Sequence, residues 1–126
     1  ISVGAAIAEG KVYAGQQGGE RFFYCLDAKT GALEWKQTLP GGWVWGSAVV
    51  DEGLVYVPTV SGYAVCLDAE NGHIVWMYPT AKSVPAEPAI DGDLVYFGSW
   101  SLSLYAFKKK TGAVGRKMAL ALIPGL

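Results

Sequence analysis

CLDAKTGALEW, from Cys25 to Trp35, returns 41 residues later as CLDAENGHIVW, from Cys66 to Trp76. A third, divergent copy, YAFKKKTGAVGRK from Tyr105 to Lys117, keeps Thr111 and Gly112 in register and puts Arg116 where the others have tryptophan. Self-similarity at this period marks an array of small supersecondary units, each too small to bury an apolar face alone.

Working outward, every copy is preceded by a short apolar run, an acidic-glycine turn and a Val-Tyr pair. The runs are Gly4 to Ala8, Gly46 to Val50 and Pro88 to Ile90; the pairs are Val12-Tyr13, Val55-Tyr56 and Val95-Tyr96. Tyr13 to Tyr56 is 43 residues and Tyr56 to Tyr96 is 40, the length of one four-stranded propeller blade. The apolar runs are short, rich in Val, Tyr, Ile and Leu, and separated by Gly, Asp and Asn, and none sustains a helical period. The chain therefore reads as all-β, about three four-stranded antiparallel blades of a β-propeller, within one partial propeller domain over 1–126. The blades fall at about 2–39, 44–80 and 84–120. In the second, strands are expected at Gly46 to Val50, Leu54 to Thr59, Tyr63 to Leu67 and His73 to Tyr78.

Period-two alternation on the fourth strand puts Leu33 with Trp35, and Ile74 with Trp76, on one face, leaving Glu34 and Val75 opposite. A tryptophan recurring once per sheet suits a wedge between sheets, where burying about 150–250 Å² removes a large apolar area from water. Asp27 and Asp68 are placed to brace their turns by accepting backbone N–H bonds two or three residues ahead. Gly31 and Gly72 supply positive φ at the reversal. The small residues Ala5, Ala6, Ser47, Ala48 and Ala89 suit first strands crowded around an axis.

The motif Val-Tyr, Cys-Leu-Asp-Ala-x-Thr/Asn-Gly-x-x-x-Trp resembles the PQQ-like repeat of the quinoprotein alcohol dehydrogenase-like propellers. It covers nearly the whole chain in three copies. The resemblance implies that Trp35 and Trp76 dock neighbouring blades, that Arg116 departs from this pattern, and that the compartment is periplasmic or extracellular. Propellers close with about four to eight blades, and the resemblance implies a ring of about seven or eight. The chain is accordingly expected to be an excerpt of a longer propeller, its flanks covered by the remaining blades or by a second copy.

Hydrophobic residues make up 52% and charged residues 17%, as expected of a sheet protein that is mostly interior. The net charge of −1 excludes a general attraction to nucleic acid or anionic membrane. Residues 1–107 carry five basic and eleven acidic groups and residues 108–126 five basic and none acidic, so the charge divides as −6 and +5. The run Lys108-Lys109-Lys110 is expected to be a solvated turn rather than a phosphate site. The tail from Met118 to Leu126 is too short to span a bilayer. Cys25 and Cys66, equivalent positions on neighbouring blades, are expected to be buried free thiols.

Catalytic constellations are sparse. His73 is the single histidine, which disfavours a histidine metal site or a Ser-His-Asp triad. Gly15 to Gly19 lacks the Lys-Ser/Thr ending of a phosphate loop, and Asp91-Gly92-Asp93 falls short of a calcium cage. A meander sorts its turns onto two rims. One carries the uniform acidic turns; the other carries the blade-to-blade loops and second turns, with unneeded aromatics. The binding rim is therefore assigned to Trp43, Trp45, Trp100, Glu20, Arg21 and Glu87, facing a protein partner or a small ligand. Two functional readings follow from the resemblance. The first is a non-catalytic envelope scaffold with no cofactor; the alternative is a segment of a PQQ-dependent dehydrogenase holding PQQ with calcium.

Overall fold

The computed structural model describes residues 5–15, 21–40, 42, 44, 47–80, 82, 84, 87–100 and 103–119. The described strands form three separate four-stranded antiparallel sheets, each a meander in sequence order. The first blade holds β1 (Ala6–Ala8), β2 (Lys11–Gly15), β3 (Phe22–Asp27) and β4 (Leu33–Thr38). The second holds β5 (Val49–Asp51), β6 (Leu54–Pro58), β7 (Tyr63–Asp68) and β8 (Ile74–Pro79), and the third β9 (Ala89–Asp91), β10 (Leu94–Ser99), β11 (Ser103–Lys108) and β12 (Val114–Ala119).

The same cross-strand row recurs in each sheet: Tyr13, Cys25 and Trp35; Tyr56, Cys66 and Trp76; Tyr96, Ala106 and Arg116. In the first two blades this row looks toward the next blade. The core consequently lies between sheets. One buried cluster joins Tyr13, Phe23, Cys25 and Trp35 to Val55, Val57, Val65 and Leu67, and a second joins Tyr56, Cys66 and Trp76 to Val95, Phe97, Tyr105 and Phe107. Blade 2 thus contributes one face to each cluster, so period-two alternation buries both of its sides.

Three sequence expectations need correction. The first strands are only three residues long, so the inner strand of the second blade begins at Val49, past Ser47 and Ala48, and runs through Asp51; Gly46 lies outside the described residues. The last strand of that blade begins at Ile74, because the His73 carbonyl accepts the Asp68 N–H at 2.8 Å and its N–H donates to Asn71 Oδ1 at 2.9 Å. Both groups close the preceding turn and are lost to the ladder. The shared face of Leu33 and Trp35 also fails: Leu33 is 55% exposed where Trp35 is 9% exposed. The cause is a register shift between Cys25 and Leu26, which repeats between Cys66 and Leu67 and between Ala106 and Phe107. An extra residue in the outer strand interrupts the alternation, as a β-bulge does.

Candidate functional site

The most developed local chemistry is the joint between blades. Trp35 Nε1 donates to the Ala69 carbonyl of the next blade at 3.0 Å, and Trp76 Nε1 donates to the Lys109 carbonyl at 2.8 Å. Gln37 Nε2 adds a bond to the Gly72 carbonyl at 3.0 Å, and the Tyr56 hydroxyl reaches the Lys109 carbonyl at 3.4 Å. Each indole lies on the glycine that ends the receiving turn, so closely that a Cβ on Gly72 would sit 2.6 Å from Trp35 Cδ2 and one on Gly112 2.6 Å from Trp76 Cδ2. The glycines meet two demands at once, with φ of 78° and 71° and no room for a side chain.

The receiving turns share a construction. Asp27 Oδ1 accepts from the N–H groups of Lys29 at 2.9 Å and Thr30 at 3.0 Å, and Asp68 Oδ1 accepts from Glu70 N–H at 2.8 Å. Those backbone donors, Thr30 first, hold the Asp27 carboxyl below the ordinary carboxylate value. In the third turn Lys108 replaces the aspartate, yet the Gly112 N–H still closes on the Lys108 carbonyl at 2.8 Å, as Gly72 does on Asp68. Lys108 instead pairs with Asp93 at 3.1 Å, which holds that carboxyl low.

These turns gather on one rim together with the turns after the first strands. The backbone fastens the two sets: Ala28 N–H to Gly10 O, Ala69 N–H to Gly53 O and Lys109 N–H to Asp93 O, all at 2.9 Å. Lys11 adds ion pairs to Glu34 and, at 3.9 Å, to Asp27. A groove of about 690 Å³ opens between the first two blades, lined in part by Glu9, Lys11, Glu34, Glu52, Asp68 and Glu70. Another of about 510 Å³ opens between the second and third, lined by Glu52, Gly92, Asp93 and residues 108–111.

Lys109 corrects the expectation of a wholly solvated lysine turn. Lys108 and Lys110 are exposed, but Lys109 is only 5% exposed, and its ammonium bonds Asp51 at 2.6 Å and Glu52 at 3.0 Å across the blade boundary. The hydrogen bonds from Asp51 and then Glu52 raise its pKa above the ordinary lysine value. Sequence reasoning missed this clasp, although lysine in the third copy stands where both others have alanine, Ala28 and Ala69. Glu52 reaches Lys109 from a left-handed backbone, φ 49°, matched by Glu9 at 51° and by Gly92 at 60° in the third blade.

On the opposite rim, Arg21 is exposed at the entry to β3 and its carbonyl accepts Leu39 N–H at 2.8 Å. Trp100, 60% exposed, follows β10, and Glu87 is exposed ahead of β9. These three stand on one rim, Arg21 on the first blade and Glu87 and Trp100 on the third. Trp43, Trp45 and Glu20 lie outside the described residues. Beneath this rim, Ser99 Oγ donates to the carbonyls of Thr80 at 3.3 Å and Lys82 at 3.2 Å, so its buried hydroxyl is satisfied.

Cys25 and Cys66 are free and buried, and burial pushes the Cys66 thiol up to about 12. Among the described residues, no three His, Cys, Asp or Glu side chains are grouped to share a metal ion. Among them too, no helix is long and apolar enough to cross a membrane.

Four-stranded meanders of about forty residues, each locked to the next by an indole on a Gly-ended turn, define a PQQ-like β-propeller array. The chain belongs to the family described as outer membrane protein assembly factor BamB, whose model matches residues 1–121. The crystal structure of BamB from Moraxella catarrhalis superposes with a TM-score of 0.78 and 30% identity, over 91% of this chain and 35% of that one. Quinoprotein ethanol dehydrogenase of Pseudomonas aeruginosa is 34% identical over 83 residues, which cover 59% of this chain and 13% of the dehydrogenase. A quinohemoprotein alcohol dehydrogenase from Pseudomonas putida HK5 shares the fold at 21% identity with a TM-score of 0.75, over 90% of this chain and 20% of that one. The chain therefore spans well under two-thirds of each of these proteins.

Proposed function

We propose that these three blades belong to a larger PQQ-like propeller that serves as a non-catalytic binding scaffold in the periplasm or another extracytoplasmic compartment. The observation that carries this reading is the extent of the likeness to an assembly factor: the family model runs over residues 1–121 and the BamB structure over 91% of the chain. The remaining blades of the same propeller, or a second copy, cover its outer flanks. A protein partner or small ligand meets the aromatic rim at Trp43, Trp45 and Trp100, with Glu20, Arg21 and Glu87 beside them. Nucleic acid has no place in this reading, given a net charge of −1, and the reading calls for no membrane span in these blades.

The second reading, a segment of a PQQ-dependent dehydrogenase, is favoured by the 34% identity to the Pseudomonas aeruginosa enzyme. Titrating the protein with PQQ and calcium while following absorbance and tryptophan fluorescence separates the two. The scaffold predicts no saturable change; tight, calcium-dependent saturation would replace it with the dehydrogenase.

A further inference from the structure

Three outer strands, β4, β8 and β12, each pair on one side only among the described residues. An edge of this kind is a template for another strand, and proteins blunt it with charge. β4 carries Glu34 and Lys36, and β12 carries Arg116 and Lys117. β8 carries no charge at all between Ile74 and Pro79, so its blunting rests on the bulge at Val75 and on the closing Pro79. At the positions equivalent to Glu34 and Lys36 it places Val75 and Met77, which are 43% and 45% exposed.

This exposure differs in kind from that of the outer flanks of blades 1 and 3. Blade 2 is packed on both sides, against blade 1 through one buried cluster and blade 3 through the other. Val75 and Met77 thus remain in solvent with both neighbouring blades in place, and a further blade of the ring does not reach them. Trp76, between them, points into blade 3; Met77 follows it on the regular part of the ladder, and Val75 is the extra residue of the β8 bulge, so two apolar side chains flank Trp76 in solvent along this edge.

We propose that the free edge of β8 is a strand-addition site, occupied by an extended segment of another polypeptide with uncharged, apolar side chains at alternate positions. The size of the surface selects this occupant over a second copy. Six residues make an edge about 20 Å long and, at a strip width of about 10 Å, bury about 400 Å² in total. That lies well below the roughly 1,200 Å² of a stable protein–protein interface. An added strand suits so narrow a site because main-chain hydrogen bonds carry affinity and alternate side chains carry specificity. The site is separate from the aromatic rim and from any cofactor on the ring axis, so its failure leaves the scaffold reading standing, and the converse also holds.

The test uses the full chain and a fluorescein-labelled peptide of alternating valine and threonine, with a second peptide N-methylated at every other residue. Anisotropy should show saturable binding of the first peptide, weakened at least tenfold by N-methylation and by Met77→Lys. Thr38→Lys, a change on the outer strand of blade 1, should leave binding intact. An unchanged unfolding midpoint for Met77→Lys, with Val75→Thr as a milder second variant, separates a lost site from a lost fold. Absence of saturable binding, or binding indifferent to N-methylation and to both β8 variants, overturns the proposal. A dimer in light scattering that Met77→Lys abolishes would also overturn it, by making a second copy the occupant.

Discussion

Three glycines in equivalent turns offer a subtraction that isolates the energy of the blade joint. Gly31, Gly72 and Gly112 have nearly the same left-handed backbone, with φ of 73°, 78° and 71°. Alanine at any of them meets the same left-handed penalty, about 1–2 kcal/mol. Their surroundings differ. A Cβ on Gly31 meets nothing within 4 Å, whereas on Gly72 and Gly112 it falls 2.6 Å from Cδ2 of Trp35 and Trp76. Overpacking of that kind costs about a further 1–3 kcal/mol. Gly31→Ala should therefore cost about 1–2 kcal/mol, and Gly72→Ala or Gly112→Ala about 2–5 kcal/mol. Urea unfolding followed by far-UV circular dichroism gives the three values without relying on tryptophan emission. Trp35→Ala in the Gly72→Ala background should recover the overpacking part, so the pair should fall short of additivity by about 1–3 kcal/mol. Equal costs at the three glycines, or an additive pair, would refute the packing of indole on glycine as the joint between blades.

Trp76→Ala should cost about 3–5 kcal/mol, because it empties a buried site and removes the bond to the Lys109 carbonyl; the urea midpoint checks it. At the clasp, removing both acids with Asp51→Asn and Glu52→Gln should lower the midpoint more than Lys109→Met does. The first change strands a buried ammonium, whereas the second frees carboxylates that water can reach. In alkali, the Cys66 thiol is raised from 9.0 to about 12 by burial, and Tyr13 is likewise raised from 10.0 to about 12 by burial. Their contribution is full below the unfolded values and is lost as pH rises through the folded ones. The urea midpoint should thus decline above pH 9.0, with a shallower slope in Cys66→Val. A thiol reagent should meanwhile label neither cysteine until the chain unfolds.

The architecture was legible because the signal was periodic. One row of Tyr, Cys and Trp recurs at forty-residue spacing, and a period of that length has few structural meanings. The strand ends were less legible. His73 reads as strand by its neighbours, yet its two backbone groups are committed to the Asp68–Asn71 turn. Leu33 was misplaced because an extra residue in β4 leaves the order of apolar and polar letters unchanged while it rotates the chain. Lys109 was illegible for a different reason: its partners Asp51 and Glu52 precede it by 58 and 57 residues, on the turn of another sheet. Rim residues such as Trp100 and Arg21 are apparent as an aromatic and a charge in the loop positions of the repeat, but which of them act together depends on loops whose path no local pattern dictates.

The joint between blades has an evolutionary corollary. Each tryptophan reads a peptide oxygen and a missing side chain, two properties that survive almost any replacement of the letters around them. DAKTG, DAENG and KKKTG can therefore present the same socket despite opposite charges. A gene built from such units is free to duplicate, exchange and diversify them, since any module that keeps its tryptophan and its turn glycine arrives with a plug and a receptacle of one gauge.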